Sequence, residues 1–250
     1  MDKYYLTDNI YLQDKNLFYE ENNKLNKIKT YNWHIILKEY GWEKINLKWI
    51  KKLNLLTKIP TKNSLWGRLD CGSDGDCLFH CISYAFKSDN IIDDNFDVSY
   101  LRNLVSENIS KEKFDEIITI YKILKDSNDF DEDWDPYDTD FETFKELIVE
   151  GGNNYWGDNI IINILKEILN INIIILNSNS LTNDYNYYPL LYDFNNDLET
   201  IILSYEEQTH FKLVGYFNDV FITKFTKNNI PNEILKLINY LIKKIKILYI

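Results

Sequence analysis

The stretch from Asp158 to Leu176 constrains the fold more than any other. Ile160, Ile161, Ile164, Leu165, Ile168 and Leu169 recur at three- and four-residue spacing, the apolar stripe of an amphipathic helix. Asp158 stands where such a helix needs an N-cap. The pattern then changes abruptly. Residues 171–176 are apolar apart from Asn172 and mostly β-branched, which reads as a central strand buried on both faces. A helix that runs straight into such a strand calls for a sheet with helices laid against it.

The rest of the chain fits that plan. Residues 200–204, 210–216 and 220–225 read as three more strands, and a long amphipathic helix starts at Asn232. Residues 71–76, Cys-Gly-Ser-Asp-Gly-Asp, read as a turn. A helix should begin at Cys77, with Leu78, Phe79, Ile82, Ala85 and Phe86 as its apolar stripe. Two helices are expected within 98–126, and another over 141–149 that Gly151 and Gly152 stop. Residues 1–30 read as a polar, weakly structured lead-in, and 31–56, dense in Trp, Ile and Leu, as two short helices. No internal repeat is visible. The expected fold class is α+β (α/β), a small central β-sheet flanked by helices. The expected organisation is a helical N-terminal extension over 1–60, a main domain over 61–227, and an amphipathic helix over 228–250 packed on it.

Bulk properties narrow the function. With 250 residues, 45% of them hydrophobic and 27% charged, the chain suits one sizeable core. A net charge of −11 argues against nucleic acid, which needs a basic face, and for a basic or neutral partner. Cys71, Cys77 and Cys81 fall within one short segment, a poor disulfide framework, so reduced thiols and a cytoplasmic setting are expected. No run reaches the ~18 apolar residues of a membrane span. Lys236, Lys243, Lys244 and Lys246 interrupt the apolar C-terminal stretch. A monomer is expected.

Cys77 is the residue with the clearest chemical potential. It stands at the junction of a Gly-rich turn and a helix, where exposed N–H groups favour a thiolate. The turn from Gly72 to Asp76 also offers consecutive N–H groups to an oxyanion. A base must come from one of three histidines. His80 lies on the same helix and points along it, and His34 sits in the aromatic N-terminal region. His210 starts a strand and is the best partner by elimination. On these residues alone, an activated nucleophile and a buried structural thiol fit Cys77 equally well. Cys71 and Cys81 read as structural.

Three blocks carry a family resemblance. Residues 74–82, Asp-Gly-Asp-Cys-Leu-Phe-His-Cys-Ile, resemble the nucleophile motif of ovarian-tumour (OTU) cysteine proteases. Tyr155-Trp156-Gly157-Asp158, with the helix and strand after it, resembles that family's Trp-Gly block. Thr209-His210-Phe211-Lys212-Leu213-Val214 resembles its histidine strand. The blocks occur in the family's order over residues 68–217, in a style close to OTU proteins of large DNA viruses. The resemblance implies a papain-like cysteine protease fold and a deubiquitinase that cleaves bonds to the ubiquitin C-terminus, with ubiquitin or polyubiquitin as partner. It implies Cys77 as nucleophile, His210 as base, and Asp74 as a residue that shapes the oxyanion loop with Gly75 and Asp76. Many members carry Asp or Asn two residues after the histidine to orient it. Here that position is Lys212, which cannot accept the imidazole N–H. Asp74 is then the first choice of acceptor, ahead of Asn153 and Asn154. Trp156 and Phe211 would wall a channel for the Gly-Gly tail of the substrate. Glu206 and Glu207 would attract the tail's basic residues. The alternatives are an inactive ubiquitin-binding protein of this fold and a protease acting on a ubiquitin-like modifier or a viral polyprotein.

No metal or cofactor is expected. Asp131, Asp133, Asp135 and Glu142 match an EF-hand register, but Pro136 takes the place of the glycine that loop requires. Cys71, Cys77, His80 and Cys81 lack the paired spacing of a zinc site.

Overall fold

The computed structural model describes every residue except 1–3, 6, 88–95, 131, 180–185, 192, 207–208 and 249–250. The chain divides into two compact units, one of residues 1–70 and 174–250, the other of residues 71–173.

The first unit opens where a weakly structured lead-in was expected. Strands β1 (Tyr4–Tyr5), β2 (Ile10–Gln13), β3 (Asn16–Glu21) and β4 (Lys24–Lys27) form a four-stranded antiparallel sheet in sequence order. Asp14-Lys15 turns the β2–β3 hairpin and Asn22-Asn23 the β3–β4 hairpin. All four residues hold φ between 51° and 60°, as a tight two-residue hairpin requires. Ile10, Tyr11 and Leu17 are buried, so the polar composition of this segment conceals an apolar face. The Leu17 N–H donates to the Asp219 carbonyl at 3.1 Å, and the Lys27 ammonium reaches the Asp219 carboxylate at 2.8 Å.

Helix α1 (Trp33–Ile36), strand β5 (Trp42–Lys44), helix α2 (Leu47–Thr57) and strand β6 (Trp66–Leu69) follow. From the last residues of the second unit onward come β7 (Ile171–Asn179), β8 (Asn186–Leu191), β9 (Glu199–Glu206), β10 (His210–Asn218), β11 (Val220–Ile222) and β12 (Lys224–Phe225). A second sheet runs in the order β5-β6-β10-β9-β7-β8, with β11 on β10 and β12 on β9. The strand expected over 220–225 is thus two short ones that pair with different neighbours. The last helix (Asn232–Leu248) buries Ile234, Leu237, Ile238 and Leu241 in one cluster with Trp49, Leu53, Trp66, Ile202 and Val214. Its apolar stripe is spent on packing, which is where most helical stability comes from. Among the described residues, no helix is long and apolar enough to cross a membrane.

The second unit is helical. It holds α3 (Cys77–Lys87), α4 (Val98–Glu107), α5 (Lys111–Asp126), α6 (Phe141–Glu150) and α7 (Asn159–Leu169), which makes the final helix of the chain α8. The side chains of Asp97, Ser110, Asp140 and Asp158 cap four of these five helices by accepting first-turn N–H groups. Tyr121, Trp134, Phe144 and Tyr155 pack together as an aromatic core. The Tyr121 hydroxyl bonds that of Tyr155 at 2.5 Å and donates to the Asp158 carboxylate at 2.8 Å. Burial raises the proton affinity of Asp158. In the acidic loop, Asp135 accepts from the Lys125 ammonium at 2.7 Å, and Asp131 lies outside the described residues.

Candidate active site

In the helical unit, the turn before α3 is held in a conformation most residues avoid. Asp74 and Gly75 both adopt positive φ, 62° and 83°. A Cβ on Gly75 would fall 1.9 Å from the Gly152 carbonyl oxygen, so only glycine lets these two segments meet. The turn delivers Cys77 as the first residue of α3, with 6% of its surface exposed. His80 packs back on the turn, where a Cβ on Gly72 would lie 2.6 Å from its ring. Cys81 is fully buried, and all three cysteines are thiols.

Asp76 does two things. Its N–H donates to the Ser73 carbonyl at 3.3 Å, so this amide is committed to the turn rather than offered to an oxyanion. Its carboxylate accepts from the Gly152 N–H at 3.3 Å and from Arg102 Nε at 2.7 Å. Asp74 is exposed at the tip of the turn. Trp156 is 38% exposed, and its N–H faces the Glu132 carboxylate at 3.4 Å. Gly157, next to it, lies against the first turn of α3, where a Cβ would come within 2.6 Å of Leu78 Cδ2. Glu132 is pushed up to about 7, first by desolvation and then by the charges of Asp158 and Asp133, against the Trp156 N–H bond.

In the sheet unit, His210 opens β10, and its Nε2 lies 3.1 Å from Asp70 Oδ1. A carboxylate only accepts, so Nε2 is the donor in this bond, and in the neutral imidazole that tautomer leaves the lone pair on Nδ1. Sequence reading did not single out Asp70. It follows β6, whose Leu69 pairs with Leu213, so the register carries Asp70 opposite Lys212. Alternation along β10 puts His210 and Lys212 on one face, within diagonal reach of that carboxylate. The acceptor expected two residues after the histidine is therefore supplied from the neighbouring strand, and Asp70, not Asp74, is the carboxylate bonded to His210.

Lys212 has its own place in this arrangement. Its ammonium lies 2.8 Å from Glu43 Oε1, 3.6 Å from Asp70 Oδ2 and 4.0 Å from Glu206 Oε2. Arg68 bridges Glu43 at 3.1 Å and Glu206 more closely. Desolvation would raise Glu43, but the Lys212 hydrogen bond and the nearby cations outweigh it and hold Glu43 below its ordinary value. Glu206 also accepts from Ser204 Oγ at 2.8 Å. It is a tied member of an ion network, not an anion held out to a substrate. The same alternation turns Phe211 to the other face, where it is buried and packs on Tyr205 with ring centroids 4.5 Å apart. A channel wall needs an exposed ring, so Phe211 is core. Glu207 lies outside the described residues.

The sequence matches the family of OTU-like cysteine proteases over residues 72–211, from the turn before Cys77 to the residue after His210. No curated protein matches the chain. Among solved structures, the chain is similar to an ovarian tumour (OTU) domain in complex with ubiquitin at 20% identity, with 69% of this chain and 81% of that one covered and a TM-score of 0.42. It is similar to an OTU deubiquitinase from Wolbachia pipientis wMel bound to ubiquitin at 13% identity, with coverage of 66% and 98% and a TM-score of 0.41. A viral OTU domain protease from Qalyub virus is similar at 17% identity, with coverage of 61% and 85% and a TM-score of 0.39. These likenesses are distant, and the assignment rests on the family match. Because that match spans more than half of the sequence, the chain belongs to the OTU-like cysteine protease family.

Proposed function

We propose that the protein is a deubiquitinase in which Cys77 is the nucleophile, His210 the general base and Asp70 the residue that orients it. The observation that carries this reading is the Asp70–His210 hydrogen bond at 3.1 Å. It supplies the acceptor whose apparent loss, with Lys212 in its usual position, motivated the reading as an inactive ubiquitin-binding protein. Nδ1 of His210 takes the Cys77 thiol proton, and the thiolate attacks the carbonyl carbon of ubiquitin's terminal glycine. N–H groups of the turn, Gly75 among them, receive the oxyanion. The imidazolium gives its proton to the leaving lysine amine, and a thioester remains on Cys77. Water, deprotonated by His210, attacks the thioester and releases ubiquitin with its free carboxylate. Trp156, exposed beside the first turn of α3, serves as one wall for the Gly-Gly tail. The net charge of −11 suits a substrate tail that carries basic residues. Three thiols without a disulfide suit a reducing, cytoplasmic setting.

A panel of diubiquitins and ubiquitin-like substrates tests the reading. Cleavage of at least one diubiquitin, abolished in Cys77→Ala and His210→Ala, supports it. Cleavage confined to a ubiquitin-like modifier replaces it with a protease of other specificity.

A further inference from the structure

The most heavily bonded charge in the helical unit is one that the reaction scheme leaves unused. Arg102, on α4, is 2% exposed. Its Nε donates to Asp76 Oδ1 at 2.7 Å, and Nη2 pairs with the same carboxylate. Nη1 donates to the Ile148 carbonyl at 2.9 Å, and Nη2 reaches the carbonyls of Tyr155 at 3.1 Å and Gly75 at 3.5 Å. The guanidinium plane lies over the Phe79 ring, 4.2 Å from its centroid. Gly151 has no side chain for the same reason: a Cβ there would sit 2.3 Å from Arg102 Nε. These partners are the turn before Cys77, the first turn of α3, the end of α6 and the residue before Trp156. A single buried fork thus ties together the segments that surround the thiol.

An arginine at this position is costly to bury. Desolvation lowers its proton affinity, and the Asp76 carboxylate, with Cys77 whenever that is a thiolate, offsets part of that cost. The interaction with Cys77 is reciprocal: whatever a thiolate contributes to the charged guanidinium, the guanidinium returns to the thiolate. The Asp76 carboxylate cancels part of that field, yet two of its bonds come from the turn's own neighbours, so the pair reads as a brace as well as a charge.

We propose that Arg102 is a positioning residue for catalysis, one that fixes the oxyanion turn through Asp76 and Gly75 and favours the thiolate of Cys77 through its buried charge. This rests on the reading of Cys77 as the nucleophile. Two functions, geometry and charge, are separable. Lysine keeps the charge and loses the fork, while methionine keeps most of the volume and loses both.

The test is the pH dependence of Cys77 alkylation by iodoacetamide, read peptide by peptide so that Cys71 and Cys81 do not contribute, alongside turnover of diubiquitin. Arg102→Met should raise the alkylation midpoint by roughly one pH unit. Arg102→Lys should hold the midpoint near the parent's while turnover falls about tenfold or more. An Arg102→Met protein that unfolds cooperatively, with the parent's midpoint and turnover, overturns the proposal. If Arg102→Met does not fold, Arg102→Lys decides, and a turnover equal to the parent's overturns the proposal. Alkylation needs no ubiquitin. A protein whose midpoint responds to Arg102 but which cleaves no ubiquitin substrate refutes the deubiquitinase reading and leaves this one standing.

Discussion

Asp70 is the residue on which the proposed role of His210 turns. In the proposed mechanism its bond to Nε2 selects the tautomer that leaves Nδ1 free to act as a base, as the acid of a catalytic triad does. The pair is partly exposed, 25% for His210 and 45% for Asp70, so it contributes only ~0–1 kcal/mol to folding. Asp70→Ala should therefore lower kcat by about 10- to 100-fold and leave the melting temperature nearly unchanged, in steady-state kinetics and calorimetry on the same sample. Glu132 makes a different prediction. Its carboxyl titrates at about 7 in the fold, above its ordinary value of 4.5, so the neutral form is the one the fold prefers. The stability it contributes is present below the unfolded value and is lost as pH rises from about 4.5 through 7. Glu132→Gln, permanently neutral, should raise the melting temperature at pH 8 and change it little at pH 5. An equal effect at both values would contradict the assignment. Cys77 and His210 could be proposed from the sequence because each sits in a short local motif. Asp70 could not, because it reaches His210 through the pairing of β6 with β10, and register across strands is not written in local spacing.

Among the elements, the helices were the most legible. The cap at Asp158 and the apolar stripe of α7 lie where periodicity and capping residues put them. The N-terminal sheet was missed because its hairpins turn on Asp14-Lys15 and Asn22-Asn23 rather than on a glycine pair, and because only a few of its residues are buried. Two adjacent residues with a liking for positive φ, such as Asn22-Asn23, were the available signal. Phe211 was misread for a related reason: a strand sends neighbours to opposite faces, so a residue next to His210 in sequence is the one least able to share its surface. The turn before α3 carries the sharpest prediction for an element. Gly75→Ala places a Cβ 1.9 Å from the Gly152 carbonyl in a backbone at φ 83°, so the turn must shift. Diubiquitin turnover should fall at least about 10²-fold, since a displacement of ~1 Å near the reacting atoms has that effect, while circular dichroism reports an intact helical content.

For the molecule as a whole, charge is the property that bears on substrate. With 39 acidic against 28 basic residues, the chain attracts a basic partner over distances that salt can screen. KM for a ubiquitin substrate should rise with ionic strength between about 0.05 and 0.5 M while kcat stays level, because screening weakens encounter and not the bond-making step. A KM indifferent to salt would assign recognition to apolar contacts instead. The α+β class was legible from the abrupt change between helix and strand near Asn170, and the family from three motifs kept in order. The division into units was not, since the first unit draws its residues from both ends of the chain. The central claim is that Cys77 attacks the ubiquitin C-terminus, and a ubiquitin bearing an electrophile in place of its terminal carboxylate tests it directly. The intact protein should gain the mass of one ubiquitin, mapped to Cys77 and absent in Cys77→Ala. Binding without that covalent adduct would contradict the account.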